Sequence, residues 1–282
     1  MITFIGTGLL GSNFTKALLA KGEQVRVWNR THERAKRLEA VGAKAFEKIT
    51  DAVNGVNRIH IALSDDASVD SVIEQATPAL AKDAVIIDHT TTTEKGAVRR
   101  TNAFKQEGFS YVHAPVFMGP SNALESTGYM LISGDQDIVT RVTPWLTPMT
   151  GKLINFGDKT GKAAGLKLIG NLFLLSMLGG LSDMLTLAKS LDIPPTDISE
   201  LLQTWNPGAG TPARLKKVLG GEFDEPSWEL QMARKDARLM MEEAKSAGEQ
   251  LLVVPPISEI MDRWISKGNG GKDWTIFASG KP

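Results

Sequence analysis

The run GKAAGLKLIGNLFLLSMLGG, residues 161–180, is apolar or small except for a few positions, and two of the exceptions could do chemistry: Lys167 and Asn171. At i and i+4 they share one face of a helix. Lys167 stands near the helix start and could reach water along its own methylene stem. Asn171 falls one turn deeper, beside Leu172, Phe173 and Leu174, where a buried amide without partners is costly. Two polar groups aligned on an otherwise greasy helix point to a wet pocket. A partly desolvated lysine has a lowered pKa and becomes a usable proton donor or acceptor near neutrality.

The amino terminus carries the second chemical signal. MITFIGTGLLGSNFTKALLAKG reads as a strand, then Gly6-x-Gly8-x-x-Gly11, then a helix. Such glycines mean little alone, but in the strand–turn–helix setting they describe a dinucleotide site. Gly6 makes the tight turn, Gly8 lets a pyrophosphate approach the backbone, and Gly11 lets the helix pack on the sheet. Thr7, Leu9 and Leu10 complete the loop, and the helix N-terminus offers free N–H groups to the phosphates. The second strand ends in VWNRTHERAKR. An NAD site usually has Asp or Glu here for the ribose hydroxyls. Asn29 takes that place, followed by Arg30, Thr31 and Arg34, a hydroxyl and guanidiniums suited to a 2′-phosphate. The expected cofactor is NADP(H). It carries hydride but no proton for the oxygen of a carbonyl substrate, which is the task left for Lys167.

The elements that must position these groups fall in two halves. Residues 1–160 alternate β-branched runs (2–6, 24–29, 58–63, 84–88, 110–116, 129–133 and 152–157) with segments of helical spacing, which predicts a parallel, doubly wound sheet. Residues 161–282 read as all-α, with a long first helix over 162–190 as the hinge. No internal repeat stands out.

Composition narrows the classes. The chain has 282 residues, 42% hydrophobic, with 32 acidic and 32 basic side chains, so no global pull on nucleic acid or anionic membrane is expected. It has no cysteine, which excludes disulfides and thiolate chemistry, and its four histidines show no metal-ligand spacing. The apolar run between Lys167 and Asp183 has 15 residues, about 22 Å of helix at ~1.5 Å each, against a ~30 Å hydrocarbon core. A buried helix of a soluble protein is expected there, and a cytoplasmic location.

These motifs together resemble the β-hydroxyacid dehydrogenase family, the hydroxyisobutyrate dehydrogenases and glyoxylate/succinic semialdehyde reductases of the 6-phosphogluconate dehydrogenase superfamily. The resemblance covers nearly the whole chain and implies a Rossmann domain followed by a helical domain. The family's G-x-x-G-x-x-x-K-x-x-x-N pattern is matched in its core by Gly165, Lys167 and Asn171, which implies Lys167 as general acid/base and Asn171 as its holder. The cofactor loop, usually Leu-Pro, is Leu63-Ser64; DHTT implies Thr91 at the nicotinamide side, and RKDARLM implies Lys235 against the cofactor. The substrate loop departs most. It reads HAPVFMGP, so Phe117 and Met118 replace the family's serine and first glycine while Gly119 is kept. In the family that serine helps hold the substrate carboxylate. Phe117 cannot, so either the backbone holds the acid or the substrate is larger or less polar.

The resulting expectation is an NADP(H)-dependent oxidoreductase that interconverts a small β-hydroxyacid or related alcohol with its semialdehyde or oxo acid, working as a homodimer or homotetramer. The alternatives are an NADPH-dependent imine reductase, which the altered loop favours and Lys167 disfavours, and a cofactor-binding regulator without turnover. Decarboxylation of a sugar-acid phosphate ranks below these, because 6-phosphogluconate dehydrogenase has a far longer helical part.

Overall fold

The computed structural model describes residues 1–280, in two compact units, one of Met1–Asn171 and one beginning at Leu172. In the first, strands β1 (Ile2–Ile5), β2 (Val25–Trp28) and β3 (Lys44–Phe46) alternate with helices α1 (Leu9–Ala20), α2 (His32–Lys36) and α3 (Ile49–Val53). Then come β4 (Arg58–Ile61), α4 (Asp66–Ala76), β5 (Val85–Asp88), α5 (Glu94–Gln106) and β6 (Ser110–His113). The six strands form one parallel sheet in the order β3-β2-β1-β4-β5-β6.

Side chains of period two divide between its faces. Ile2, Phe4, Val25, Val27, Val85 and Ile87 share one core with Phe14 and Leu18 of α1. Ile5, Ile59, Ile61 and Ile86 share the other with Ile49, Val69 and Val72 of α3 and α4. Both faces are covered, which is why these strands read as continuous apolar runs. Burying a side chain such as Phe4 or Phe14 contributes roughly 1.5–3 kcal/mol. The strand order reverses between β1 and β4, and such a reversal opens a crevice at the strands' carboxyl ends.

The segment expected as one strand over 110–116 is split. Ala114 N–H still donates to Asp88 O (2.7 Å), but Pro115 has no N–H to continue, and its carbonyl instead accepts from Leu131 N–H (2.9 Å). The chain thus passes into a second, three-stranded sheet: β7 (Val116–Phe117), then α6 (Pro120–Glu125), β8 (Tyr129–Ile132), α7 (Gln136–Leu146) and β9 (Lys152–Asn155). β7 pairs antiparallel with β8, and β8 pairs parallel with β9, so the single parallel sheet of the sequence reading becomes a parallel sheet plus a small mixed one.

Helix α8 (Lys162–Ser190) begins in the first unit and runs into the second, which continues with α9 (Pro195–Thr204), α10 (Thr211–Gly220), α11 (Leu230–Ser246) and α12 (Val254–Trp264). Leu230, Ala233, Met261 and Ile276 form its core. Two carboxylates fasten it. Buried Asp183 of α8 accepts from the backbone N–H groups of Leu252, Val253 and Val254 at the start of α12. Asp273 accepts from Lys217, Ser227 and Thr275, and these donors hold its carboxyl far below the usual range although burial opposes them.

The expectation of a buried α8 is corrected. Leu172, Phe173, Leu174, Leu175, Met177 and Leu178 are all exposed, and by length and composition α8 is apolar enough to cross a membrane. Hydropathy registers how greasy a helix is, not whether anything covers it. Asn171 is accordingly half-buried, not sealed in hydrocarbon.

Candidate active site

A cleft of about 1060 Å³ opens within the first unit, where the glycine turn, the ends of β2 and β4, the loop after β5, the start of β7 and Lys167 converge. Gly6, at φ +91°, brings the turn so close to β4 that a Cβ would stand 2.2 Å from Ala62 O. At Gly11 a Cβ would stand 1.9 Å from Gly6 O, so α1 approaches the turn as only glycine permits. Nothing lies within 4 Å of a Cβ built on Gly8, leaving its backbone open to a ligand. Thr7 Oγ1 is buried without a partner. An open backbone beside an orphaned hydroxyl fits a bound dinucleotide phosphate.

Asn29 ties this turn to β2: its Oδ1 accepts from Thr7 N–H (3.1 Å) and its Nδ2 donates to Thr31 O (3.0 Å). Arg30 and Arg34 are exposed on the cleft and, among the described residues, neither pairs with a carboxylate. Leu9, Leu10, Thr31, Leu63, Ser64 and Thr91 line the same cleft. Lys235 lies on α11 of the second unit, where its Nζ pairs with Asp236 (2.9 Å).

Lys167 is 8% exposed, and its Nζ donates to Asn171 Oδ1 (2.8 Å). Burial pulls its pKa below the ordinary lysine value, and no carboxylate among the described residues pairs with it. Its Nζ also stands 4.2 Å from the centroid of the Phe117 ring, a cation–π distance. Met118 lines the cleft, whereas Gly119 caps α6, its N–H donating to Asn122 Oδ1 (2.8 Å).

Several cleft residues carried no sequence signal that was used. Ser68, Ser71 and Gln75 of α4 line it, as do His89 and Thr90. A helix starting just after the β4 loop could have indicated the first three. His89 closes a buried relay. Arg58 Nε donates to His60 Nε2 (2.8 Å), His60 Nδ1 lies 2.8 Å from His89 Nε2, and His89 Nδ1 lies 2.7 Å from Ala114 O. Since Arg58 only donates and Ala114 O only accepts, both imidazoles are neutral with the proton on Nδ1. Burial pulls His89 down to about 4, against the opposing Ala114 carbonyl and Asp88; burial, then Arg58 and His89, depress His60 further. His113 is buried too, its Nε2 2.8 Å from Thr90 O.

A glycine turn at a sheet's switch point, facing a buried lysine, can be compared with known proteins. Residues 1–157, more than half of the chain, match the family profile described as the NAD binding domain of 6-phosphogluconate dehydrogenase. The chain belongs to the family of β-hydroxyacid and 6-phosphogluconate dehydrogenases. It is a nicotinamide-dinucleotide-dependent oxidoreductase of that family. Among its curated relatives, 3-sulfolactaldehyde reductase of Escherichia coli is 26% identical over 98% of this chain and 94% of its own. Two solved structures share the dehydrogenase fold. An imine reductase from Myxococcus stipitatus in complex with NADP+ has TM-score 0.91 at 19% identity, covering 99% of this chain and 98% of its own. A reductive aminase from Aspergillus terreus, in complex with NADPH4, cyclohexanone and allyl amine, has TM-score 0.90 at 22% identity over 98% and 97%. At those identities the likeness is one of fold alone.

Proposed function

We propose that this protein is an NADP(H)-dependent dehydrogenase/reductase that interconverts a small alcohol, of the β-hydroxyacid or a related class, with its carbonyl partner, Lys167 serving as general acid and base. When bound, the dinucleotide would supply or accept the hydride at the substrate carbon. In the reducing direction Lys167 gives its proton to the substrate oxygen as the alcohol forms, and in the oxidising direction it takes that proton back. Asn171 Oδ1 aims the amine by holding one of its N–H groups. Gly6, Gly8, Gly11 and Thr7 would hold the pyrophosphate. Arg30, Thr31 and Arg34 would hold the 2′-phosphate, a reading supported by guanidiniums that pair with no carboxylate among the described residues and by Asn29 standing where an NAD site has an acid.

The observation that carries this reading is the buried amine on the same cleft as the glycine turn. The test is a panel of aldehydes, oxo acids and cyclic imines with NADPH, run on wild type and Lys167→Ala. Turnover of a carbonyl substrate should fall by ~10²–10⁴ in the variant, the scale of a lost acid–base group, with NADPH affinity kept. Unchanged turnover removes the lysine from the reaction, and turnover of imines alone replaces the substrate class.

We also propose that the bare face of α8 is covered by a second copy of the chain, giving a homodimer. A membrane fits it less well: Asp183, which ends the apolar stretch within the helix, is buried and committed to three backbone N–H groups.

A further inference from the structure

We propose that Phe117 is the specificity-determining side chain of this site, selecting a neutral carbonyl compound over one that also carries a carboxylate. The inference rests on Lys167 being the proton donor to the substrate. A lysine ammonium has three N–H groups. One is taken by Asn171 Oδ1, and the face of the Phe117 ring covers another direction at 4.2 Å. One N–H is left, enough for a single acceptor atom such as a carbonyl oxygen. A carboxylate beside it would need donors of its own, and the chain neighbours of Phe117 that line the cleft wall, Val116 and Met118, offer no charge or hydroxyl. The other cations of the cleft, Arg30 and Arg34, follow β2 and are assigned to the cofactor phosphate. An anion on this wall would be desolvated without compensation.

The ring is held in place by a glycine. A Cβ at Gly170 would lie 2.3 Å from Phe117 Cζ and 2.8 Å from Cε1, so the ring edge rests directly on the helix backbone. Glycine is a poor residue for a helix interior, and at this position the seated ring accounts for it. Phe117, Lys167 and Gly170 therefore act together: an alanine on the helix would push the ring off the amine.

A matched pair of substrates isolates the charge: 4-oxobutanoate and its methyl ester, assayed by NADPH oxidation. Wild type should show a kcat/KM for the ester at least about tenfold above that for the acid. Phe117→Ser should shrink this ratio by at least about tenfold, mainly through the acid's KM, and Gly170→Ala should move it the same way. An acid used as well as the ester by wild type, or a ratio unmoved in both variants, overturns the proposal. Binding is read separately, by titrating the protein–NADPH complex with butanamide and butanoate and following NADPH fluorescence. If neither aldehyde is reduced, the assigned reaction fails and this arm still decides. Preference for the amide, lost in the variants, upholds the role of Phe117; equal binding, or none, rejects it.

Discussion

Acidification from pH 7.5 to 5 should destabilise the first unit by about 2 kcal/mol through His89 alone. In the unfolded chain this imidazole titrates at its ordinary 6.5; in the fold, burial brings it to about 4. Between those values the unfolded state binds the extra proton and the folded state does not, so stability is complete above 6.5 and declines as the pH falls towards 4. At 1.36 kcal/mol per pKa unit the whole window amounts to about 3.4 kcal/mol, with roughly 2 of it gone by pH 5. His60, also depressed, adds to the loss in the same direction. A proton on either ring would also set N–H against N–H along the Arg58–His60–His89 relay, a geometric cost on top of burial. The depressed carboxyl of Asp273 titrates below this window and does not confuse it. Urea-dependent hydrogen exchange in peptides from β4 and β5, corrected for the intrinsic effect of pH, reports the first unit by itself. A wild-type loss below about 0.5 kcal/mol would refute the reasoning. So would an undiminished loss in the His60→Gln/His89→Gln protein.

Three further outcomes are expected. Arg30→Ala should weaken NADPH binding by tenfold or more, about 1.4 kcal/mol, and leave NADH binding nearly unchanged; equal losses in a fluorescence titration would mean that Arg30 does not read the 2′-phosphate. Gly11→Ala must displace α1 from Gly6 O, so thermal unfolding should show a loss of about 1–3 kcal/mol together with weaker dinucleotide binding. Leu172→Glu/Leu175→Glu should turn a dimer into a monomer in light scattering; a wild type already monomeric at micromolar concentration would rule out the covered α8.

The large sheet was legible because its strands are buried on both faces and show as apolar runs between glycine turns. β3 was not: three residues, Lys44–Phe46, are too few to show a period. Nor was α6, six residues between Gly119 and Gly128. The glycine turn and the Lys167–Asn171 pair could be read because each lies within one local element, where spacing alone determines which groups meet. The ring over the amine could not. Phe117 and Lys167 are fifty positions apart in the chain, and only the folded backbone shows that the ring meets Gly170 and the amine together. The exposure of α8 escaped for another reason, since an interior helix and an exposed apolar one have the same composition.

The interruption at Pro115 has a consequence for how such a protein can change. Hydrogen bonding of the big sheet ends one residue before it, and that of the small sheet starts at its own carbonyl. An altered side chain at 117, outside the core that Val116 shares with β1, β2 and β5, therefore leaves every pairing of β1 to β6 in register. The surface that meets the substrate can be remade one side chain at a time while the platform beneath the dinucleotide keeps its geometry.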